Sequence, residues 1–349
     1  MHHSPVSLTV AVAAICTLSP FVRAQEGPPT PAPELKKLEP LIGNWAGSGT
    51  VADPTMGTDK WTAQSSYQWS HDGFWVCEDT TIHFGSMPGV LVFHAYIGWD
   101  AENRRYVTAS TSNTGEVRLA ELELLPDGSM MTIMTHWEEA TFAERSVFKI
   151  DGDKMSHQID FLMPQGDSMK FVDGGFHRVD TAAPGVLGAE GFAEPANESM
   201  QQLCRGAGVY DTKGTMVMMP GMPAMNIYGT DTFTARFGGK VLHGHTDGAA
   251  EGMPGKYAAD VFWGWDKKRG CYTSVFVSNM GEVGSMEMRA SEDGRQLIST
   301  MSGTMMGQPM AQRFVLDLDE KGVYTSGVGH TLMGTAPPFE SFRATYKKK

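Results

Sequence analysis

Two stretches of this chain are versions of one another. Residues 98–128 read GWDAENRRYVTASTSNTGEVRLAELELLPDG, and residues 264–294 read GWDKKRGCYTSVFVSNMGEVGSMEMRASEDG. Laid together without a gap they share Gly98/Gly264, Trp99/Trp265, Asp100/Asp266, Tyr106/Tyr272, Ser112/Ser278, Asn113/Asn279 and the tripeptides at 115–117 and 281–283. The period far exceeds the roughly 20–50 residues of a solenoid unit, so the chain is a duplicated domain. Its length of 349 residues predicts two domains independently.

The pieces around the duplication fall into place from composition. Residues 1–24 carry an apolar run ending in Val22-Arg23-Ala24, the pattern of a cleaved export signal, and predict a periplasmic or extracellular protein. The run is too short for a stable membrane span. Residues 25–34 form a proline-rich tether, 35–180 the first repeat, 181–197 a small-residue linker and 198–349 the second repeat. A net charge of −12 argues against nucleic-acid binding, which needs a basic surface. Loss of Cys16 with the signal would leave Cys77, Cys204 and Cys271, an odd number that cannot all pair; Cys204 and Cys271 could pair with each other.

Within the first repeat, helical periodicity is confined to a short turn at 34–41. The rest divides into about ten alternating segments near 45–51, 61–70, 74–83, 90–99, 105–113, 117–125, 130–137, 141–150, 155–163 and 169–179, separated by turn sequences such as His71-Asp72-Gly73 and Pro126-Asp127-Gly128. Short connections between consecutive strands predict an up-and-down meander, and closing it removes the exposed edges of an open sheet. The expected fold class is therefore all-β, two tandem antiparallel barrels of about ten strands each. The duplication also orients the side chains. Leu91, Phe93, Ala95, Ile97 and Trp99 have apolar or aromatic counterparts throughout (Tyr257, Ala259, Val261, Trp263 and Trp265), so this face points into the barrel. Likewise Ala63, Ser65, Tyr67 and Trp69 face in, with Thr62, Gln64, Ser66 and Gln68 toward water.

The opening segment at 38–49, LEPLIGNWAGSG, resembles that of lipocalin-like barrels, including the haem-binding nitrobindins. The later G-W-D, aromatic-centred strand and closing strand resemble more closely the bacterial family called domain of unknown function 1579. The resemblance implies a closed ten-stranded barrel per repeat and no particular reaction. It is weaker in repeat two, where 200–208 reads MQQLCRGAG: Cys204 and Arg205 stand where Trp45 and Ala46 stand, and the plugging tryptophan is absent.

No nucleophile–base pattern, phosphate loop or paired-carboxylate motif occurs, so a non-enzymatic protein is expected. The leading reading is a barrel that binds a small apolar ligand, since such sites are concave and apolar. Its candidate contacts are Trp45, Phe93, Trp99, Tyr106, Asn113 and Glu116 in the first repeat. In the second they are Trp263, Trp265, Tyr272, Asn279 and Glu282. Two metal readings stand beside it. His243 and His245 lie on one strand face, where i and i+2 align, with Cys77 and Asp79 at the equivalent positions. Methionine clusters (Met216, Met218, Met219, Met222, Met225; Met301, Met305, Met306, Met310) are soft ligands suited to copper, although methionine also fills irregular interiors. The nitrobindin likeness implies a haem-ligating histidine near the last strand, where His177 lies; repeat two has none there. The third reading is an interaction module in which repeat two has lost any pocket and docks on repeat one.

Overall fold

A computed structural model of the chain describes residues 29–53, 57–85, 88–136, 142–162, 166–253, 255–305 and 308–349. The expected export signal, residues 25–28 of the tether and Met306 lie outside these residues. Two closed antiparallel barrels follow one another, each a ten-strand meander whose last strand pairs with its first. In the first, a 3-10 helix at Pro33–Leu41 leads into β1 (Gly43–Asp53), β2 (Gly57–Ser70), β3 (Trp75–Phe84), β4 (Leu91–Asp100) and β5 (Arg105–Ser112). It continues through β6 (Val117–Leu124), β7 (Met130–His136), β8 (Phe142–Asp151), β9 (Lys154–Leu162) and β10 (Ser168–Val179). A short helix, α1 (Glu198–Cys204), opens the second barrel. Its strands are β11 (Gly208–Met216), β12 (Met225–Arg236), β13 (Val241–Ala250), β14 (Tyr257–Asp266), β15 (Cys271–Ser278), β16 (Val283–Ala290), β17 (Gln296–Met305), β18 (Gln308–Leu318), β19 (Tyr324–Met333) and β20 (Phe339–Lys348). No helix among the described residues is long and apolar enough to cross a membrane. Each barrel has its own inward-facing core, and a third apolar cluster lies between them.

One end of each barrel is plugged by an aromatic ring. Trp45 is fully buried, donates from Nε1 to Leu41 O at 2.8 Å, and lies under the Arg178 guanidinium, 4.4 Å from its ring. The second barrel keeps this device, contrary to the sequence expectation. Tyr210 pairs with Asp231 as Trp45 pairs with Ser65, and it is equally buried. Its hydroxyl donates to Gly206 O, again four residues back, at 2.6 Å, and Lys348 covers the ring. Cys204 lies instead on α1. The equivalence is G-x-aromatic: Gly43 and Gly208 both adopt positive φ, +135° and +148°, and start the strand that carries the plug. Helical caps close these ends in matching fashion. Tyr106 donates to Glu34 O at 2.7 Å, and Tyr272 donates to Ser199 O at 2.9 Å.

The barrels meet through the outer faces of matching strands, with β5 and β6 against β14, β15 and β16. Phe74, Trp75, Val92, Tyr96, Val107 and Ala109 from the first barrel pack with Phe237, Val241, Phe262, Val275 and Val277 from the second. Trp75 Nε1 donates across the seam to Ser278 O at 2.8 Å. The linker is part of this seam. Val186 is buried in it, and Phe192 N donates to Asn113 O at 2.8 Å. All three described cysteines, Cys77, Cys204 and Cys271, are free thiols.

Candidate functional site

Strand alternation divides the candidate residues into lumen, seam and rim. Phe93, Trp99, Trp263 and Trp265 face the lumens and are only partly buried. Trp99 meets Tyr106 edge-on at 4.8 Å and Trp265 meets Tyr272 at 5.0 Å. Trp45, Tyr106 and Tyr272 belong to the closed ends. Asn113 and Asn279 are braces. Each accepts a backbone N–H from the neighbouring hairpin through Oδ1, from Val92 at 3.0 Å and Ala258 at 2.9 Å. Their amides donate to Val90 O and Glu190 O, and to Lys256 O and Asp72 Oδ2. Glu116 pairs with Arg118, while Glu282 accepts from Ser278 Oγ at 2.8 Å and Tyr257 OH at 3.2 Å.

The first lumen has a polar wall that the sequence reading did not pick out. On the inner face of β3, Glu78 Oε1 accepts from Tyr67 OH at 3.0 Å and from Thr80 Oγ1 at 2.7 Å; Thr80 Oγ1 also lies 2.7 Å from Ser65 Oγ, whose hydroxyl can donate to it. Burial raises the Glu78 carboxyl above the usual range, against the lowering effect of its two donors. On β9, His157 stacks on Phe148 at 4.1 Å and approaches Ser146 Oγ at 3.1 Å. Burial holds its pKa down to about 4, so it is neutral near pH 7. On β5 and β6, Ser110 faces Arg118, whose side chain is 23% exposed. One signal was available in the sequence: Glu78 alternates with Cys77 and Asp79, so an outward pair implies an inward acid.

The second lumen is filled differently at the same positions. Phe276 replaces Ser110 and Gly284 replaces Arg118. Phe276 is fully buried, and a Cβ built on Gly284 would lie 2.5 Å from its ring. By strand register Phe314 takes the place of Ser146 and Gly327 that of His157. A Cβ on Gly327 would meet Phe314 at 2.7 Å. Rings packed on glycines stand where the first barrel has hydroxyls, an imidazole and a guanidinium.

At the seam, His243 and His245 turn toward a carboxylate, Asp260. Its Oδ1 lies 2.7 Å from His243 Nε2 and 2.8 Å from His245 Nδ1. From the other barrel, Tyr96 OH donates to Oδ2 at 2.7 Å and His71 Nε2 lies 3.2 Å from it. Burial alone would raise the Asp260 pKa, but the histidine hydrogen bonds prevail and hold it well below the usual range. Desolvation depresses His243, whereas the bond to Asp260 raises the half-exposed His245. The equivalent pair in the first barrel has its partners exchanged: Asp79 stands at the position of His245 and His94 at that of Asp260, with Nδ1 to Oδ1 at 2.7 Å. Among the described residues, no group of three or more His, Cys, Asp or Glu is placed to hold a metal ion. His177 is exposed on the outer face of β10, next to the inward Phe176. Of the methionines, Met222 is exposed, while Met301 and Met310 pack in the second barrel.

Residues 30–178, essentially the first barrel, match the model of a protein family of unknown function, DUF1579. No curated protein matches the chain. Among solved structures, the chain is similar to Rv2717c from M. tuberculosis at 16% identity and a TM-score of 0.34, over 43% of this chain and 99% of that one. It is similar to the S-type phycobiliprotein lyase CPES from Guillardia theta at 12% identity and a TM-score of 0.31, over 42% and 93%. A DUF3598-family protein of unknown function from Nostoc punctiforme matches at 10% identity and a TM-score of 0.27, over 91% and 99%.

Proposed function

We propose that the first barrel holds one small guest molecule in its lumen without transforming it, and that the second barrel is its structural partner. One observation carries this reading: Ser110 in the first lumen is small and partly accessible, where Phe276 in the second is a fully buried ring. A lumen lined by partly accessible aromatics together with a few fixed polar groups has the make-up of a small-molecule site. The guest suited to it is amphiphilic rather than purely apolar, because Glu78, Thr80 and Ser110 share the wall with Phe93 and Trp99. Export of the chain to the periplasm or beyond belongs to the same proposal, resting on the sequence at 1–24.

The seam supports the structural half. Four side chains from both barrels converge on Asp260, and breaking a buried charged network costs about 3–5 kcal/mol. Such a joint holds two barrels as one unit, and its histidines are engaged there. The test imports the second barrel's filling into the first. The Ser110→Phe, Arg118→Gly double variant should stay folded, since that ring–glycine pair already packs in this fold. It should lose binding of the neutral dye Nile red, read by fluorescence. Unchanged dye affinity in a folded variant would refute a guest site at this place.

A further inference from the structure

The carboxyl group of Glu78 is only half used by the fold. Both donors that reach it, Tyr67 OH and Thr80 Oγ1, bond the same oxygen, Oε1. Among the described residues Oε2 receives none. The second barrel handles its lumen acid in the opposite way. Asp231, at the position of Ser65, accepts from Thr246 Oγ1 through Oδ1 at 2.8 Å and from Thr212 Oγ1 through Oδ2 at 2.7 Å. At the position of Glu78 itself stands Gly244, where a Cβ would lie 2.9 Å from Phe233 and 3.0 Å from both Trp263 and Val261. That lumen has no room for the acid, and its own acid has both oxygens occupied.

Among the described residues, the first lumen supplies no cation paired with Glu78. Arg118 is paired with Glu116, and its NH1 reaches Met134 Sδ at 3.6 Å. His157 is held neutral by burial, bonded to Ser146. Glu78 is only partly buried, so the undonated Oε2 opens on the lumen, and a positive group there gains most by pairing with it. Inward rings on the neighbouring strand β4, Phe93 and Trp99, offer apolar surface for the rest of such a molecule.

We infer that Glu78 Oε2 is the anchor of the first barrel's guest and that the guest is a protonated organic amine with an apolar body. This rests on the lumen-binding reading above and specifies its ligand class. An ammonium N–H to a carboxylate oxygen is a charge-assisted hydrogen bond, about twice as strong as a neutral one. A hydroxyl in the same place would gain less, and a carboxylate would be repelled.

The test uses three probes with one chain and different heads: hexylamine, 1-hexanol and hexanoate, titrated into the full chain at pH 7 by calorimetry. Hexylamine should bind at least about tenfold tighter than hexanol, with hexanoate weakest. In Glu78→Gln the amine preference should vanish while hexanol affinity stays as in wild type, which also reports an intact lumen. Equal wild-type affinities for amine and alcohol, or an amine preference that survives Glu78→Gln, would overturn the anchor and leave the lumen reading standing. Failure of all three probes to bind the wild-type chain would sink the lumen reading and the anchor with it. The wild-type comparison decides the matter even if the variant does not fold.

Discussion

Acid should destabilise the first barrel through His157, by an amount that follows from its burial. In the unfolded chain an imidazole titrates near 6.5; stacked on Phe148 inside the barrel, His157 titrates at about 4. Between those values the unfolded state binds a proton that the folded state refuses. Stability is therefore complete above pH 6.5 and is lost as pH falls toward 4. At about 1.4 kcal/mol per pKa unit, the loss attributable to this residue is about 3 kcal/mol. Urea unfolding of wild type and His157→Gln, at steps from pH 7 to 4, isolates it, because the other titrating groups, including the depressed His243, are common to both chains. The stability difference between them should narrow by about 3 kcal/mol over that range. Parallel curves would show that His157 is not held neutral inside the barrel, and the described lumen would be wrong there.

Two further perturbations test the joint and the plug. Asp260→Asn removes the charge on which His71, His243, His245 and Tyr96 converge and should cost about 3–5 kcal/mol. Denaturant unfolding should show this as separation of the barrels into two transitions; an unchanged single transition would contradict a charged joint. Tyr210→Phe leaves the ring in place but strips its bond to Gly206 O, and should lower the stability of the second barrel by about 1 kcal/mol. No change in denaturation midpoint would mean that the hydroxyl does not contribute to the plug.

Strands and facing were legible in the sequence because both follow from local alternation. The ten expected segments of the first repeat correspond to β1–β10, and the inward set from Leu91 to Trp99 lies on the lumen side of β4. The second plug escapes the sequence comparison because setting 200–208 against the first opening segment puts Cys204, not Tyr210, opposite Trp45. The informative match was Gly208-Val209-Tyr210 against Gly43-Asn44-Trp45, in which one aromatic ring replaces another. The seam was hidden for a different reason. Outward residues such as His94, Tyr96 and Asp260 look the same in sequence whether they face water or a second barrel; only docking decides. His243 and His245 were singled out as a pair, but the carboxylate between them comes from β14 and two of its other partners from the first barrel. Glu78 was passed over because its neighbours Cys77 and Asp79 drew the comparison with those histidines, although its inward phase follows from theirs.

On the proposed function, one barrel of the two has an accessible lumen. Nile red fluorescence titrated against the full chain at protein concentrations well above the dissociation constant measures the stoichiometry directly. One dye per chain, abolished by the Ser110→Phe, Arg118→Gly exchange, is the predicted result. Two dyes per chain would mean that Phe276 and Phe314 do not close the second lumen, and no binding at all would mean that the first is closed as well.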